Sequence, residues 1–231
     1  MDIVVAVEPS GHDTGRGNII DNLVSRPPKG YVFLIMAAQD SHYDLFMLTL
    51  LKRARDMGLK VLQVVTEARN RAIMSELAKH QGENYQILEV SYGQEAIGKH
   101  TCSPHLHEIN IMLRGLRNAI NPNIVFFEGL TPLLIDFSPR EVVQFFKESV
   151  EESIKNGSLE FFLVNSETAD PVTMNQLFSL AQGIVTLTTS RGKHYLTVQK
   201  STGVELPYNP IEYVPDMSST QRYDWEIVLN W

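Results

Sequence analysis

Short apolar runs alternate along the chain with longer stretches in which apolar residues recur every three or four positions. The runs occupy residues 31–37, 60–66, 85–90, 123–129 and 159–165. Their uninterrupted apolar character is typical of strands buried on both faces of a parallel sheet. Helices are predicted between these runs and after the last of them, at about 45–57, 69–80, 104–119, 139–154 and 173–181. Gly58 is predicted to end the first of these helices, and Ser103 to cap the third with Pro104 at its first position.

The pattern changes after residue 182. Two alternating β runs flank Ser190, Arg191 and Gly192, which predicts an antiparallel hairpin. A polar, proline-containing segment follows, and the chain closes on a last predicted strand at 225–231. The whole order predicts a three-layer α/β/α fold whose mixed sheet is parallel at its centre and antiparallel at its C-terminal edge.

Composition narrows the class of protein. The chain has 231 residues, of which 43% are hydrophobic and 20% charged, as in an ordinary water-soluble domain. Its net charge of −7 disfavours nucleic acid as a partner. Cys102 is the only cysteine, so an internal disulfide is excluded. With no apolar run near the roughly 20 residues of a membrane span, we expect a cytoplasmic protein.

Four segments in this order resemble the RecA-like ATPase superfamily, and within it the KaiC-like and RadA-paralogue proteins common in archaea. They read IIDNLVSRPPKG, KVLQVVTE, NIVFFEG and YLTVQKST. The resemblance implies one RecA-like domain over residues 1–231, with a lead-in at 1–29, a core at 30–200 and a C-terminal extension at 201–231. Pro28 and Gly30 match the family's lead-in.

The resemblance also assigns site positions. Glu67 stands at the catalytic glutamate and Glu128 at the usual aspartate of the Walker B strand. Lys200 matches the lysine that reaches into a neighbouring subunit's nucleotide site, whereas Thr202 stands at its arginine partner. Residues 165–167 match the strand end that senses phosphate.

The phosphate-binding loop departs from the family pattern. The motif G-x-x-x-x-G-K-[ST] uses glycines to turn amides inward, lysine to neutralise phosphates and a hydroxyl to hold magnesium. Those four places carry Ala37, His42, Tyr43 and Asp44. Side chains at residues 40–42 disfavour the positive φ angles that glycine supplies.

The loop is also predicted to cap its own helix. Asp40 is expected to be the N-cap, and Ser41 with Asp44 has the spacing of a capping box. A phosphate entering there would meet carboxylates. We therefore expect no cofactor, with ATP and magnesium disfavoured, and a vestigial nucleotide site. That site comprises Asp40, Ser41, His42, Tyr43, Asp44, Glu67, Glu128 and Lys200.

A second group of candidate ligands is the stretch KHTCSPHLHE, which holds His100, Cys102, His105 and His107. Zinc accepts these residue types. His105 and His107 are two residues apart at a predicted helix start and point in opposite directions, so a helix-start loop is the favoured interpretation over a zinc site.

The predicted function is that of a non-catalytic pseudo-ATPase, a binding, assembly or regulatory module that forms a homo-oligomer or pairs with a RecA-like relative. Two alternatives stay open. One is a protein that binds nucleotide or metal through Glu67, Glu128 and Lys200 in a different pose. The other is a DNA-associated regulator of recombination, as some RadA paralogues are.

Overall fold

Ten strands form a single mixed sheet with helices on both of its faces. The computed structural model describes residues 18–66, 71–91, 93, 97–168 and 170–230. The helices are α1 (Ile19–Ser25), α2 (Tyr43–Asp56), α3 (Arg71–Ala78), α4 (Leu106–Ile120), α5 (Thr131–Asp136), α6 (Pro139–Asn156) and α7 (Pro171–Leu180). The strands are β1 (Val32–Ala37), β2 (Val61–Val65), β3 (Tyr85–Val90), β4 (His100–Cys102), β5 (Ile124–Glu128), β6 (Leu159–Asn165), β7 (Gly183–Ser190), β8 (Lys193–Ser201), β9 (Ile211–Asp216) and β10 (Glu226–Asn230).

The strand order is β10-β9-β8-β7-β1-β6-β5-β2-β3-β4. Strands β7 to β4 in this order pair in parallel, and β7-β8, β8-β9 and β9-β10 pair antiparallel. The predicted fold class is confirmed, including the antiparallel C-terminal edge. The predicted hairpin is also confirmed, with Arg191 and Gly192 both at positive φ in its turn.

Successive strand residues face two separate cores, as the pleat requires. Phe33 and Ile35 of β1 join the core beneath α1, α2 and α3, whereas Val32 and Leu34 join the core beneath α4, α5, α6 and α7. Three rings from neighbouring strands stack across the first core. Phe33, Phe161 and Phe126 have successive centroid distances of 5.2 Å.

A buried ion pair ties α4 to β6. Arg117 Nη2 lies 2.7 Å from Glu160 Oε2, with the two side chains 2% and 0% exposed. The Ser158 hydroxyl donates to the other carboxylate oxygen at 2.9 Å. Burial raises the pKa of Glu160 and the Arg117 charge opposes that rise.

Several elements differ from the prediction. The segment after β3, predicted to be a loop, contains β4, and the polar segment after β8 contains β9. Helix α4 begins at Leu106 with His105 as its N-cap, so the Ser103 cap is wrong. The Ser103 hydroxyl donates instead to the Glu108 carboxylate and lies 2.8 Å from His105 Nδ1.

Within the described ranges, no helix combines the length and apolar character that crossing a membrane requires.

Candidate functional site

The candidate site lies where the central parallel strands end. Residues 38–42 join β1 to α2 at this edge, beside the ends of β6 and β7. Open α/β sheets bind ligands at the carboxyl ends of their strands, so this is the edge at which a nucleotide would be expected.

The loop closes on itself before the helix begins. The Ala38 amide donates to the Leu187 carbonyl at 2.9 Å, which fixes the start of the loop to β7. The Ser41 amide and hydroxyl both donate to the Ala38 carbonyl, at 3.2 and 2.7 Å. Ser41 is fully buried. Because α2 begins after His42 and Ser41 therefore lies before the N-cap, Ser41 and Asp44 do not form the predicted capping box.

His42, and not Asp40, is the N-cap of α2, and its side chain makes no capping hydrogen bond. The His42 carbonyl accepts from the amides of Leu45 and Phe46, at 3.1 and 3.2 Å. The predicted Asp40 cap is therefore wrong, since the turn through Ser41 moves the helix start two residues on.

The backbone of His42 is left-handed, with φ 49° and ψ 41°. The prediction that side chains keep residues 40–42 out of this region fails at His42. Its conformation matches what glycine would supply at that place, at a cost of about 1–2 kcal/mol for a residue with a Cβ. Contacts from the C-terminal half of the chain offset this cost.

Three side chains from β7, β8 and β9 hold the loop. The Tyr213 hydroxyl donates to the Ser41 carbonyl, and Thr189 Oγ1 donates to the Asp40 carbonyl at 3.3 Å. The His194 ring stacks on Tyr213 with centroids 5.5 Å apart and meets the His42 ring edge-on at 4.9 Å. The loop is thus held by residues about 150 or more positions away in the sequence.

Burial controls the titration of this cluster. It raises the pKa of Tyr213 strongly, with Asp40 and Asp44 adding to the rise, so the hydroxyl stays a donor. Burial lowers the pKa of His194, and the His42 ring lowers it further, whereas Asp40 opposes both. Sequence reasoning missed Thr189, His194 and Tyr213. The alternation within β8 was a signal for His194 alone, which shares a strand face with Leu196 and Val198.

The exposed charged side chains of the loop and of the first turn of α2 are carboxylates. Asp40 and Asp44 are exposed, and Tyr43 is half-buried against the core beneath α1, α2 and α3. No lysine or arginine occurs from residue 30 until Lys52 in the last part of α2. The helix start therefore offers negative charge where an anion would be placed.

Glu128 ends β5 at the same edge and is held by a buried polar chain. Gln63 Nε2 donates to Glu128 Oε1 at 2.5 Å, and the Tyr85 hydroxyl donates to Gln63 Oε1. Burial raises the pKa of Tyr85 well above its usual value, and the Glu128 charge raises it further. The sequence signal for this series of hydrogen bonds was a glutamine inside the apolar run KVLQVVT. Glu67 lies outside the described residues.

The strand end at residues 165–167 lies beside the loop. The Ser166 amide donates to the Ala37 carbonyl at 3.0 Å, which joins this strand end to the start of the loop. The Asn165 backbone N–H donates to Thr131 Oγ1 at 2.9 Å. The Asn165 side-chain oxygen, Oδ1, accepts from the Glu167 backbone N–H, also at 2.9 Å. These polar groups support the edge from within the chain.

Lys200 lies near the start of β7, at the opposite end of that strand from the loop. It pairs with Ile184 near the start of β7, whereas the loop lies near the Leu187 end. Its Nζ donates to the carbonyls of Phe178 and Ala181, at 3.0 and 2.6 Å. Within this chain Lys200 caps the C-terminus of α7 and does not join the other candidate residues.

The histidine-rich stretch is spread over β4 and the start of α4. His100 Nε2 lies 3.0 Å from Gln86 Oε1, and burial raises the pKa of the Cys102 thiol to about 11. Among the described residues, no three His, Cys, Asp or Glu side chains are grouped to hold a metal ion.

Comparison with known proteins places the fold. No family model and no curated protein matches the chain. Among solved structures, it is similar to a KaiC-like protein from the hyperthermophilic archaeon Pyrococcus horikoshii. The TM-score is 0.67 at 13% sequence identity, over 88% of this chain and 91% of the other. At that identity the likeness shows the fold alone, and the chain therefore has a three-layer α/β/α fold of the KaiC-like, RecA type.

Proposed function

We propose that this chain is a RecA-like module that acts by binding and assembly and does not hydrolyse ATP through the loop at 38–42. The observation that carries the proposal is the loop's engagement with its own chain. The Ser41 hydroxyl donates to Ala38, and the Ser41 carbonyl accepts from Tyr213. A phosphate-binding loop instead needs backbone donors directed at the phosphates and a lysine beside them.

Charge at the helix start supports the same conclusion. A helix N-terminus favours anions, but Asp40 and Asp44 already place two carboxylates there. Each unit-charge repulsion at about 4 Å is worth roughly 1 kcal/mol in water and about 4 kcal/mol near a protein surface. A triphosphate carries several such charges, so the usual pose is strongly disfavoured.

The Walker B position supports it too. Magnesium requires carboxylate oxygens that are free to bind the ion or its waters. One oxygen of Glu128 accepts from the uncharged Gln63 amide, which is itself fixed by Tyr85. Binding magnesium through Glu128 Oε1 would compete with the hydrogen bond from Gln63.

Assembly is the role that we assign to the fold. RecA-like domains associate edge to edge, and a second copy or a RecA-like relative is the partner that this analogy suggests. The analogy is at the level of the fold and does not specify the partner.

Calorimetry with magnesium and ATP or ADP tests the nucleotide half of the proposal. We expect no saturable heat from the natural chain. The double variant Asp40→Asn, Asp44→Asn removes the repulsion, and Asp56→Asn, Glu83→Gln is its control for net charge alone. Saturable ATP binding by the natural chain, lost on substitution of an exposed loop residue such as Asp40→Trp, would refute the proposal.

Light scattering on the same samples tests the assembly half. We expect one oligomeric state, alone or with a RecA-like partner, whose mass does not change on addition of magnesium and ATP. A monomer under all conditions, with no association with RecA-like relatives from the same source, contradicts the assembly role.

A further inference from the structure

Strand β10 is the edge of the sheet, and part of its backbone is directed away from β9. Among the described strands it pairs with β9 alone. Ile227 stands opposite Pro215, which has no N–H to donate. The Ile227 N–H donates instead to Thr49 Oγ1 of α2 at 3.0 Å. Ile227 and Pro215 are therefore a non-hydrogen-bonded pair, whose backbone polar groups point outward.

The alternation of an antiparallel ladder extends this result along the strand. Val228 opposite Val214 is a hydrogen-bonded pair, and Leu229 opposite Tyr213 again is not. The N–H and C=O of Leu229 and the C=O of Ile227 thus point away from β9. Thr49 covers one outward group, and the others form the row that an added strand would use.

This row borders a groove of about 470 Å³. Its walls come from α1, α2 and the edge of β10, and its lining includes Asp21, Arg53, Asp56 and Leu229. The groove therefore presents an outward strand edge on one side and charged helix surface on the other.

The charges of the groove are unevenly matched. Lys52 lies 3.5 Å from Glu226, and Arg53 Nε lies 2.6 Å from Asp21. Asp56 is exposed, and no described side chain pairs with it. The groove consequently carries one carboxylate that is open to a basic group.

We propose that this groove docks an extended segment of a partner polypeptide, which pairs as a strand along β10 and places a lysine or arginine against Asp56. A peptide of this kind satisfies the outward backbone groups and gains specificity from alternate side chains. The site is separate from the loop at 38–42, and its use does not depend on nucleotide binding.

The area of the edge selects this occupant over a second folded copy. Strand β10 has five residues. Pairing of two such short edges buries far less than the roughly 1,200 Å² of a stable interface between folded proteins. A single extended chain meets both the strand edge and the helix wall, which a second flat edge does not.

Titration of the full-length protein with synthetic heptapeptides tests the site. The peptides differ in residue type at alternate positions and include basic and acidic versions. Binding is followed through the amide NMR signals of the protein, up to millimolar peptide concentration. We expect saturable binding of basic, β-forming peptides, with the largest shift change at the amide of Leu229, because the Ile227 N–H is already bonded to Thr49. N-methylation at alternate peptide amides should abolish binding in one register and spare it in the other.

Variants separate the charge contribution from general effects. Asp56→Asn should weaken binding of the basic peptides about two- to fivefold. Glu83→Gln removes an exposed carboxylate outside the groove and should leave affinity unchanged. Equal effects of the two substitutions would overturn the role of Asp56.

Three results would overturn the docking site. The first is that no peptide in the set binds saturably, and the second is that binding shifts only amides on other surfaces. The third is a shift of the Leu229 amide that depends on protein concentration without peptide, which would assign the edge to a second copy. A peptide matching residues 2–8 of this chain is included as well. If it alone binds, the occupant is the chain's own segment and the partner is excluded.

Discussion

Replacing Tyr213 with phenylalanine tests whether the C-terminal strands hold the loop. The substitution keeps the ring that stacks on His194 and removes only the hydroxyl that donates to the Ser41 carbonyl. Both residues are fully buried, so water does not replace the lost donor. A buried carbonyl left without a partner costs about 1–3 kcal/mol, and we expect the free energy of unfolding to fall by that amount.

Tyr31→Phe is the matched control. Tyr31 is also a buried tyrosine whose hydroxyl donates to a backbone carbonyl, that of Gln182 at 3.0 Å. The Gln182 carbonyl keeps a second donor, the Thr202 amide, also at 3.0 Å. We therefore expect a smaller loss for Tyr31→Phe, about 0.5–1.5 kcal/mol.

Urea denaturation and amide hydrogen exchange measure the two effects. Exchange of the Ser41 amide, which donates to Ala38, should speed up in Tyr213→Phe beyond what the global loss explains. In Tyr31→Phe it should follow global stability. The reasoning is refuted if Tyr213→Phe costs less than about 0.5 kcal/mol and leaves Ser41 exchange unchanged.

Three further predictions concern charged groups. Arg117→Met leaves Glu160 buried without its counter-ion and should cost about 3–5 kcal/mol in urea denaturation, a loss that shrinks on acidification as the raised pKa lets Glu160 protonate; a loss under about 1 kcal/mol would contradict it. The folded-state pKa of His194 is lowered, so its contribution to stability is present above the unfolded value of about 6.5 and is lost as pH falls below it. His194→Gln should flatten that part of the pH–stability profile, and an unchanged slope would rule the contribution out. Lys200→Met removes two hydrogen bonds to the end of α7 and should cost about 1–2 kcal/mol in thermal unfolding, with exchange rising first at Ala181; Lys193→Met, at an exposed pair, should cost less.

The fold was predictable because its main signal is local. Runs such as YVFLIMA and LEFFLVN are long, apolar and regularly spaced, and they became β1 and β6. Strands β4 and β9 were missed because their sequences are short or interrupted by polar residues and Pro215. Pairing with a neighbouring strand, which composition does not reveal, makes them strands.

The position of the loop was predictable, and its internal geometry was not. The order of segments placed residues 37–44 where a strand joins a helix, and the structure has the junction of β1 and α2 there. The Asp40 cap was wrong because a local rule for helix starts competes with the turn through Ser41. The prediction that His42 avoids the left-handed region was wrong because distant contacts from β8 and β9 outweigh its intrinsic preference.

The hydrogen bond from Tyr213 to Ser41 joins residues 172 positions apart. During synthesis the N-terminal part of a chain emerges first, so β1 and α2 leave the ribosome long before β9 exists. The loop between them can reach its final shape only after translation has passed Tyr213. Its conformation is therefore a late event in biogenesis, and ribosome-stalled chains ending before Tyr213 will carry the loop without its anchor.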